Sequence, residues 1–314
     1  PTFFESCLLL SSHSPSTQEP SPSPQTNTDH EDLSNMASEA PHQDAATTET
    51  TNWKPHRPTT PSLNSFPNSP PSLDPSNYPH GKKSLSGISL RAFLIGTTLG
   101  LSLSLTIFLF PTYYLWRVPF FLASLCLFHF LEYYVTAEYN TRYASISAFL
   151  LSSNGWAYNV AHSSAILECL VSYYFWPRDS YFSWTGPVFG VIKLQVLLGL
   201  VMMAIGQATR TLAMAQAGSN FNHTVQVERK DGHILVTHGL YAILRHPSYF
   251  GFFWWGLGTQ LLLGNVVCLV GYAVVLWHFF NSRIAREERF LIAFFGDEYV
   301  QYRKRSWVGI PGIP

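Results

Sequence analysis

The chain has 314 residues, of which 46% are hydrophobic, 15% aromatic and only 12% charged, and its formal net charge is zero. A neutral chain without basic blocks lacks the electrostatic footprint of nucleic-acid binding, and the low charged fraction with unevenly placed polar residues argues for a membrane protein over two soluble domains. Cys7, Cys126, Cys169 and Cys268 are far apart and three lie in apolar segments, so neither a metal site nor a disulfide framework is expected.

Residues 1–87 are rich in Ser, Pro, Thr and Asn. Such a segment buries too little apolar surface to offset its ordering entropy, and a disordered tail is expected there. Phe3 to Leu10 is too short, and lacks the basic flank, to be a signal peptide. The chain begins with Pro1, and Met36 opens an alternative start, so residues 1–35 read as a gene-model artefact or a trimmed tail.

Residues 88–314 read as an all-α, polytopic membrane domain, with a cofactor and catalytic region over 217–314. Leu90 to Phe110 is long enough to span hydrocarbon, which takes roughly 20 residues, and Pro111 ends it. Further spans are expected at Pro119 to Ala137, Trp156 to Trp176 and Pro187 to Gln207, with an interfacial stretch around Tyr143 to Leu151. Phe250 to Leu263 and Val266 to Phe280 are shorter runs separated by the turn signal Gly264-Asn265, which predicts a tight helical hairpin.

Lys82, Lys83, Arg91, Arg142, Arg210, Arg229, Lys230 and Arg245, with Arg283 and the basic residues after it, fall on one side of these spans. Arg117 and Arg178 fall on the other, and Lys193 lies just inside the fourth span. By the positive-inside rule this predicts about six crossings with both termini cytosolic. The sequon at Asn222-His223-Thr224 then lies in the cytosol and stays unmodified. Gly96 and Gly100 are four apart, a spacing that lets helices approach closely, either within the chain or in a homodimer.

His129 and Glu132 share a helix face in the second span, and Glu168 lies in the third. Ionisable groups at such depth face the bundle interior or a cavity. Interhelical hydrogen bonds near the cytosolic interface, or support of a site, would account for them. The polar segment Ala217 to Val236 ends in Ile234-Leu235-Val236, which suits either a strand in water or a backbone grip on a polar cofactor.

In Arg245-His246-Pro247-Ser248-Tyr249, the proline suits the first turn of a helix, whose free amides would favour an anionic group. His246 and Tyr249 could equally be interfacial anchors. Arg283 and Glu287 are four apart on one helix face beside the apolar hairpin. There an arginine suits bidentate capture of a carboxylate, and a glutamate can accept from an ammonium or hydroxyl.

Ala217 to His223, His238 to Gly251, Arg283 to Glu288 and Phe294 to Tyr299, with Phe128 to Ala137, together resemble the isoprenylcysteine carboxyl methyltransferase family of the endoplasmic reticulum. The resemblance runs from about Phe128 to Pro314; the short Arg-His-Pro-x-Tyr element alone also occurs in related membrane methyltransferases and sterol reductases. It implies S-adenosylmethionine as cofactor and methyl esterification of the C-terminal carboxylate of a prenylated cysteine. Carried over by position, Gln226, His233, Ile234, Leu235, Val236, Tyr241, His246, Pro247, Ser248, Tyr249 and Glu287 correspond to cofactor contacts. Arg283 corresponds to the substrate-binding residue and forms the catalytic pair with Glu287. The implied partners are prenylated CaaX-protein C-termini, such as Ras-like GTPases and lipidated pheromones, and membrane lipids. A sterol reductase-like NADPH oxidoreductase, a non-catalytic prenyl-protein receptor and a phospholipid methyltransferase are the competing readings. Arg283 disfavours the last, because a cationic head group does not seek an arginine.

Overall fold

A computed structural model describes residues 74–110, 112–175, 187–189, 192–229 and 232–314. The expected tail up to residue 73, together with Pro111, Trp176, Arg178, Lys230 and Asp231, lies outside the described residues. Among the described residues, four helices are long and apolar enough to cross a bilayer, within Leu85–Leu109, Tyr114–Tyr139, Leu194–Asn220 and Val267–Phe295. The chain is therefore an all-α, multi-pass membrane fold.

Helix α1 (Leu85–Leu109) starts five residues before the expected span, because Ser84 caps it by accepting from the Gly87 amide at 3.2 Å. The tail boundary drawn at residue 87 thus falls inside α1. Helices α2 (Arg117–Tyr139) and α3 (Trp156–Phe175) follow the expected second and third spans. The fourth differs. Pro187–Phe189 (β1) and Ile192–Lys193 (β2) pair antiparallel, and α4 runs from Leu194 to Ala217. At the start of this segment β-branched residues favour the ribbon, and proline is tolerated at the ribbon's first position. At its end, polar residues continue the helix because Arg210 finds a buried carboxylate on α2.

Helix α5 (Pro247–Leu263) has proline at its first position and Gly264 as a left-handed C-cap at φ 79°. Helix α6 is the larger departure from expectation. It runs unbroken from Val267 to Phe295, so the short apolar run ending at Phe280 and the charged segment after it are one 29-residue helix. Gly296, at φ 55°, separates it from α7 (Asp297–Arg305). The last residues fold back: Trp307 exchanges backbone hydrogen bonds with Ile243 and Arg245, and Val308, Ile310 and Ile313 are buried. Indole N–H groups of Trp254 and Trp277 donate to the carbonyls of Gly309 and Pro311 at 3.2 and 2.8 Å.

Glu168 lies at the opposite end of α6 from Arg283. It accepts from the amides of Val266, Val267 and Cys268 at 2.8, 2.9 and 2.7 Å, satisfying the orphan donors that begin α6. Arg283 lies sixteen residues further along that helix, about 24 Å away at 1.5 Å per residue. His129 and Glu132 do make interhelical bonds: His129 Nδ1 meets the Phe149 carbonyl at 2.8 Å and Nε2 the Tyr158 hydroxyl at 3.1 Å.

The closest helix contact is between α4 and α5. A Cβ on Gly206 would lie 2.6 Å from both the Gly251 carbonyl oxygen and the Trp255 amide nitrogen. One on Gly199 would meet the Leu262 amide nitrogen at 2.7 Å and the Gly258 oxygen at 2.8 Å. Both helices carry glycines seven apart, so the two backbones touch at two levels. A Cβ on Gly96 or Gly100, by contrast, would meet nothing within 4 Å among the described residues.

Gly206→Ala is expected to push α4 and α5 apart, at the roughly 1–3 kcal/mol typical of overpacking. Thermal unfolding in detergent should show a clear fall in Tm for Gly206→Ala and none for Gly96→Ala.

Candidate active site

An open cleft of about 850 Å³, counting space continuous with solvent, lies where the N-terminus of α5, the C-terminal half of α6, α7 and the 218–245 segment converge. Gln226, His233, Ile234, Leu235, Val236, Tyr241, His246, Pro247, Ser248, Tyr249 and Glu287 all line it. The sequence-derived cofactor positions thus come together in one place. Phe290, Leu291, Phe294 and Phe295 from α6 form the apolar wall, and Tyr299 and Tyr302 from α7 complete it.

His233 to Val236 is not a strand. It runs without regular structure along the cleft, held where the Ile234 amide donates to Asn220 Oδ1 at 3.0 Å. The His233 ring stands edge-on to Phe294 and Phe295, with centroids 6.0 and 5.3 Å apart. The α5 N-terminus has fewer free amides than expected. The Tyr249 and Phe250 amides both donate to the His246 carbonyl at 3.1 Å, so neither is free for an anion.

Arg283 lies beside the cleft. Its Nε donates to the Tyr249 hydroxyl at 2.8 Å, and that hydroxyl donates to Glu287 Oε2 at 2.5 Å. Arg283 Nη2 donates to the His223 carbonyl at 2.5 Å. The expected pair on α6 is therefore linked through a phenol from α5, and the His246 ring stacks on that phenol at 5.4 Å. Tyr249 must be neutral to donate while it accepts from the guanidinium.

Glu288, one residue on from Glu287, points about 100° around the helix and does something different. Its Oε1 accepts from Arg245 Nε at 2.6 Å and lies 3.4 Å from His246 Nε2, and its Oε2 is 3.2 Å from Arg303 Nε. Arg245 also donates to the carbonyls of Ser306 and Pro314. This cluster ties the start of α5, the end of α6 and the terminal segment together. Sequence reasoning had missed Glu288 and Arg245 as a unit, because the partners are 43 residues apart. Burial pushes the Tyr302 phenol up to about 12, and that hydroxyl donates to the Tyr241 carbonyl at 2.7 Å. Burial also raises Tyr241, whose hydroxyl donates to the Ala213 carbonyl at 3.3 Å. Both phenols remain neutral donors at ordinary pH.

Deeper in the bundle, α3, α5 and α6 enclose an open apolar groove of about 840 Å³ lined by Tyr158, His162, Phe252, Trp255, Tyr272 and Leu276, among others. Phe252 is one turn of α5 beyond the cleft residues Ser248 and Tyr249.

The sequence pattern of the isoprenylcysteine carboxyl methyltransferase family matches residues 197–293. The chain is 43% identical over 241 residues to the protein-S-isoprenylcysteine O-methyltransferase of Saccharomyces cerevisiae, covering 76% of this chain and 97% of that protein. With the Homo sapiens protein of the same name it shares 41% identity over 226 residues, covering 72% and 75% of the two chains. A solved structure of the eukaryotic intramembrane Ras methyltransferase superposes with a TM-score of 0.65 at 34% identity, covering 72% of this chain and 77% of that one.

Arg245→Ala would strip the buried Glu288 of its shortest partner and free the terminal residues. Breaking such a pair costs about 3–5 kcal/mol. A lowered Tm is expected, together with faster protease cleavage within residues 306–314, both read by mass spectrometry and thermal shift.

Proposed function

Because the chain belongs to the isoprenylcysteine carboxyl methyltransferase family, we propose how its cleft performs the reaction of that family. The enzyme methylates the C-terminal carboxylate of prenylated cysteine in CaaX-processed proteins, with S-adenosylmethionine as methyl donor. The cofactor, when bound, supplies an activated methyl group on a sulfonium.

The cleft suits such a ligand. Glu287 presents a carboxylate to an ammonium, and the Phe294, Phe295 and His233 rings offer aromatic faces to a purine. Gln226 and the backbone of Ile234, Leu235 and Val236 supply polar edges, with Tyr241 and His246 to Tyr249 closing the far side.

Arg283 holds the acceptor carboxylate. An α-carboxylate has a pKa of about 3.5, so it reaches the site already ionised and needs no general base. What the chain must contribute is alignment, which can supply on the order of 7–11 kcal/mol. Tyr249 provides it by holding the Arg283 guanidinium and the Glu287 carboxylate in one fixed frame. That bridge is the observation on which this reading rests.

The apolar groove between α3, α5 and α6 takes the prenyl chain, entering sideways from the bilayer, while the cofactor enters from water. Helices α3 (20 residues) and α5 (17 residues) add two crossings to the four long spans, with α5 and α6 forming a hairpin. The distribution of basic residues supports both termini in the cytosol, and the endoplasmic reticulum is the membrane we propose. Ras-like GTPases and lipidated pheromones are the acceptors we propose. The open face at Gly96 and Gly100 is available to a second copy.

Membranes carrying the wild type should transfer label from S-adenosylmethionine to N-acetyl-farnesylcysteine. Arg283→Ala is expected to lower kcat/KM by about 10- to 100-fold, the scale of a lost charged hydrogen bond, and Glu287→Ala to raise the KM for S-adenosylmethionine. Full methylation by Arg283→Ala would refute the assignment.

A further inference from the structure

The cleft and Arg283 are held by a buried charge cluster that contributes no atom to the cleft lining. Glu132 on α2 is 1% exposed and Arg210 on α4 is 8% exposed. Glu132 Oε1 accepts from Arg210 Nε, and Oε2 accepts from Arg210 Nη2 at 2.9 Å. The Phe128 and Phe252 rings pack against the guanidinium, each 5.4 Å from its carbon. A carboxylate and a guanidinium in such surroundings persist only because each satisfies the other.

Two further bonds leave the cluster, one for each wall of the site. Arg210 Nη1 donates to the Ser248 carbonyl at 3.3 Å, at the start of α5. Glu132 Oε2 also meets His223 Nε2 at 2.9 Å. An ionised carboxylate only accepts, so that imidazole nitrogen carries the hydrogen. The carbonyl of the same His223 accepts from Arg283 Nη2 at 2.5 Å. Residue 223 is thus gripped by its side chain from the membrane interior, while its backbone grips the arginine at the rim.

We propose that Glu132 and His223 are positioning residues for the acceptor half of the reaction: the buried carboxylate fixes His223, and the His223 carbonyl fixes the guanidinium of Arg283. The inference rests on the reading of Arg283 as the acceptor-carboxylate residue. It assigns the Glu132 contact a task distinct from that of the Ser248 contact, which bears on the cofactor side. Among the described residues, the other partners of the Arg283 guanidinium are the Tyr249 hydroxyl and the Tyr249 and Phe279 rings, whose centroids lie 5.4 and 5.8 Å from its carbon. Releasing the His223 side chain lets the guanidinium swing, whereas the cleft lining from α5, α6 and residues 233–236 takes no part in that contact.

The test uses the full-length enzyme in membranes, with N-acetyl-farnesylcysteine and labelled S-adenosylmethionine varied separately. His223 is in a loop with its side chain 23% exposed, so its variants avoid the folding risk of changing Glu132. His223→Ala is expected to raise the KM for the prenylcysteine about tenfold, the loss of roughly one hydrogen bond to a charged group. The KM for S-adenosylmethionine should move less than about twofold. His223→Gln, whose amide can still donate to Glu132, should recover most of the loss. In the double variant with Arg283→Ala, the His223→Ala defect should vanish, because both act through one group. An unchanged prenylcysteine KM in His223→Ala overturns the inference, as does a parallel rise in both KM values or fully additive losses. Full activity in Arg283→Ala would instead bring down the reading of that residue, and this inference with it.

Discussion

Contact between two helix backbones, at Gly206 against Gly251 and at Gly199 against Gly258, is the constraint on which the site depends. With no hydrophobic drive between helices in lipid, close approach and interhelical polar bonds must supply the association. The glycines allow the approach, and Arg210, one turn beyond Gly206, exploits it. Its backbone lies against Gly251, and its guanidinium reaches Glu132 on one side and the Ser248 carbonyl on the other. A bulkier interface would separate α4 from α5 and leave Arg210 short of the α5 N-terminus. The small residues and the buried ions are therefore parts of one device.

The second constraint is the length of α6. At 29 residues it extends about 44 Å, which exceeds a hydrocarbon core of about 30 Å. Its apolar half lines the groove with Val267, Tyr272 and Leu276, and its C-terminal half carries Arg283 and Glu287 into the headgroup and water layers. A single rigid rod thus joins an apolar compartment to a polar one, without a loop whose motion would blur the register between them. Two ligands of opposite solubility can then be aligned by one element.

The apolar runs, Pro247 at a helix start, the turn at Gly264 and the i,i+4 relation of Arg283 to Glu287 were all readable, because each is local in the sequence. The limits of α4 and α6 were not. Apolarity stops near Gln207 and Phe280, whereas the helices continue because their polar residues find partners: Arg210 on Glu132, and Glu288 on Arg245. Those partners are 78 and 43 residues away, beyond any periodicity. The glycine spacing of seven in α4 and α5 likewise carries no meaning until the two helices are known to cross. Gly96 and Gly100 look like a packing motif, yet a Cβ on either would meet nothing within 4 Å among the described residues.

Adjacent glutamates on α6 show how one helix serves both chemistry and architecture. Glu287 turns to the cleft, where Tyr249 donates to it at 2.5 Å. Glu288 turns to Arg245, Arg303 and His246, and through Arg245 to the carbonyls of Ser306 and Pro314. Every basic group around Glu288 is already committed, so its charge is locally balanced and contributes little field to the cleft. Glu287 has a phenol for its partner instead, and the guanidinium of Arg283 is one bond further on. Its negative charge remains for a cationic ligand, and the asymmetry between two neighbouring carboxylates follows from which face of the helix each occupies.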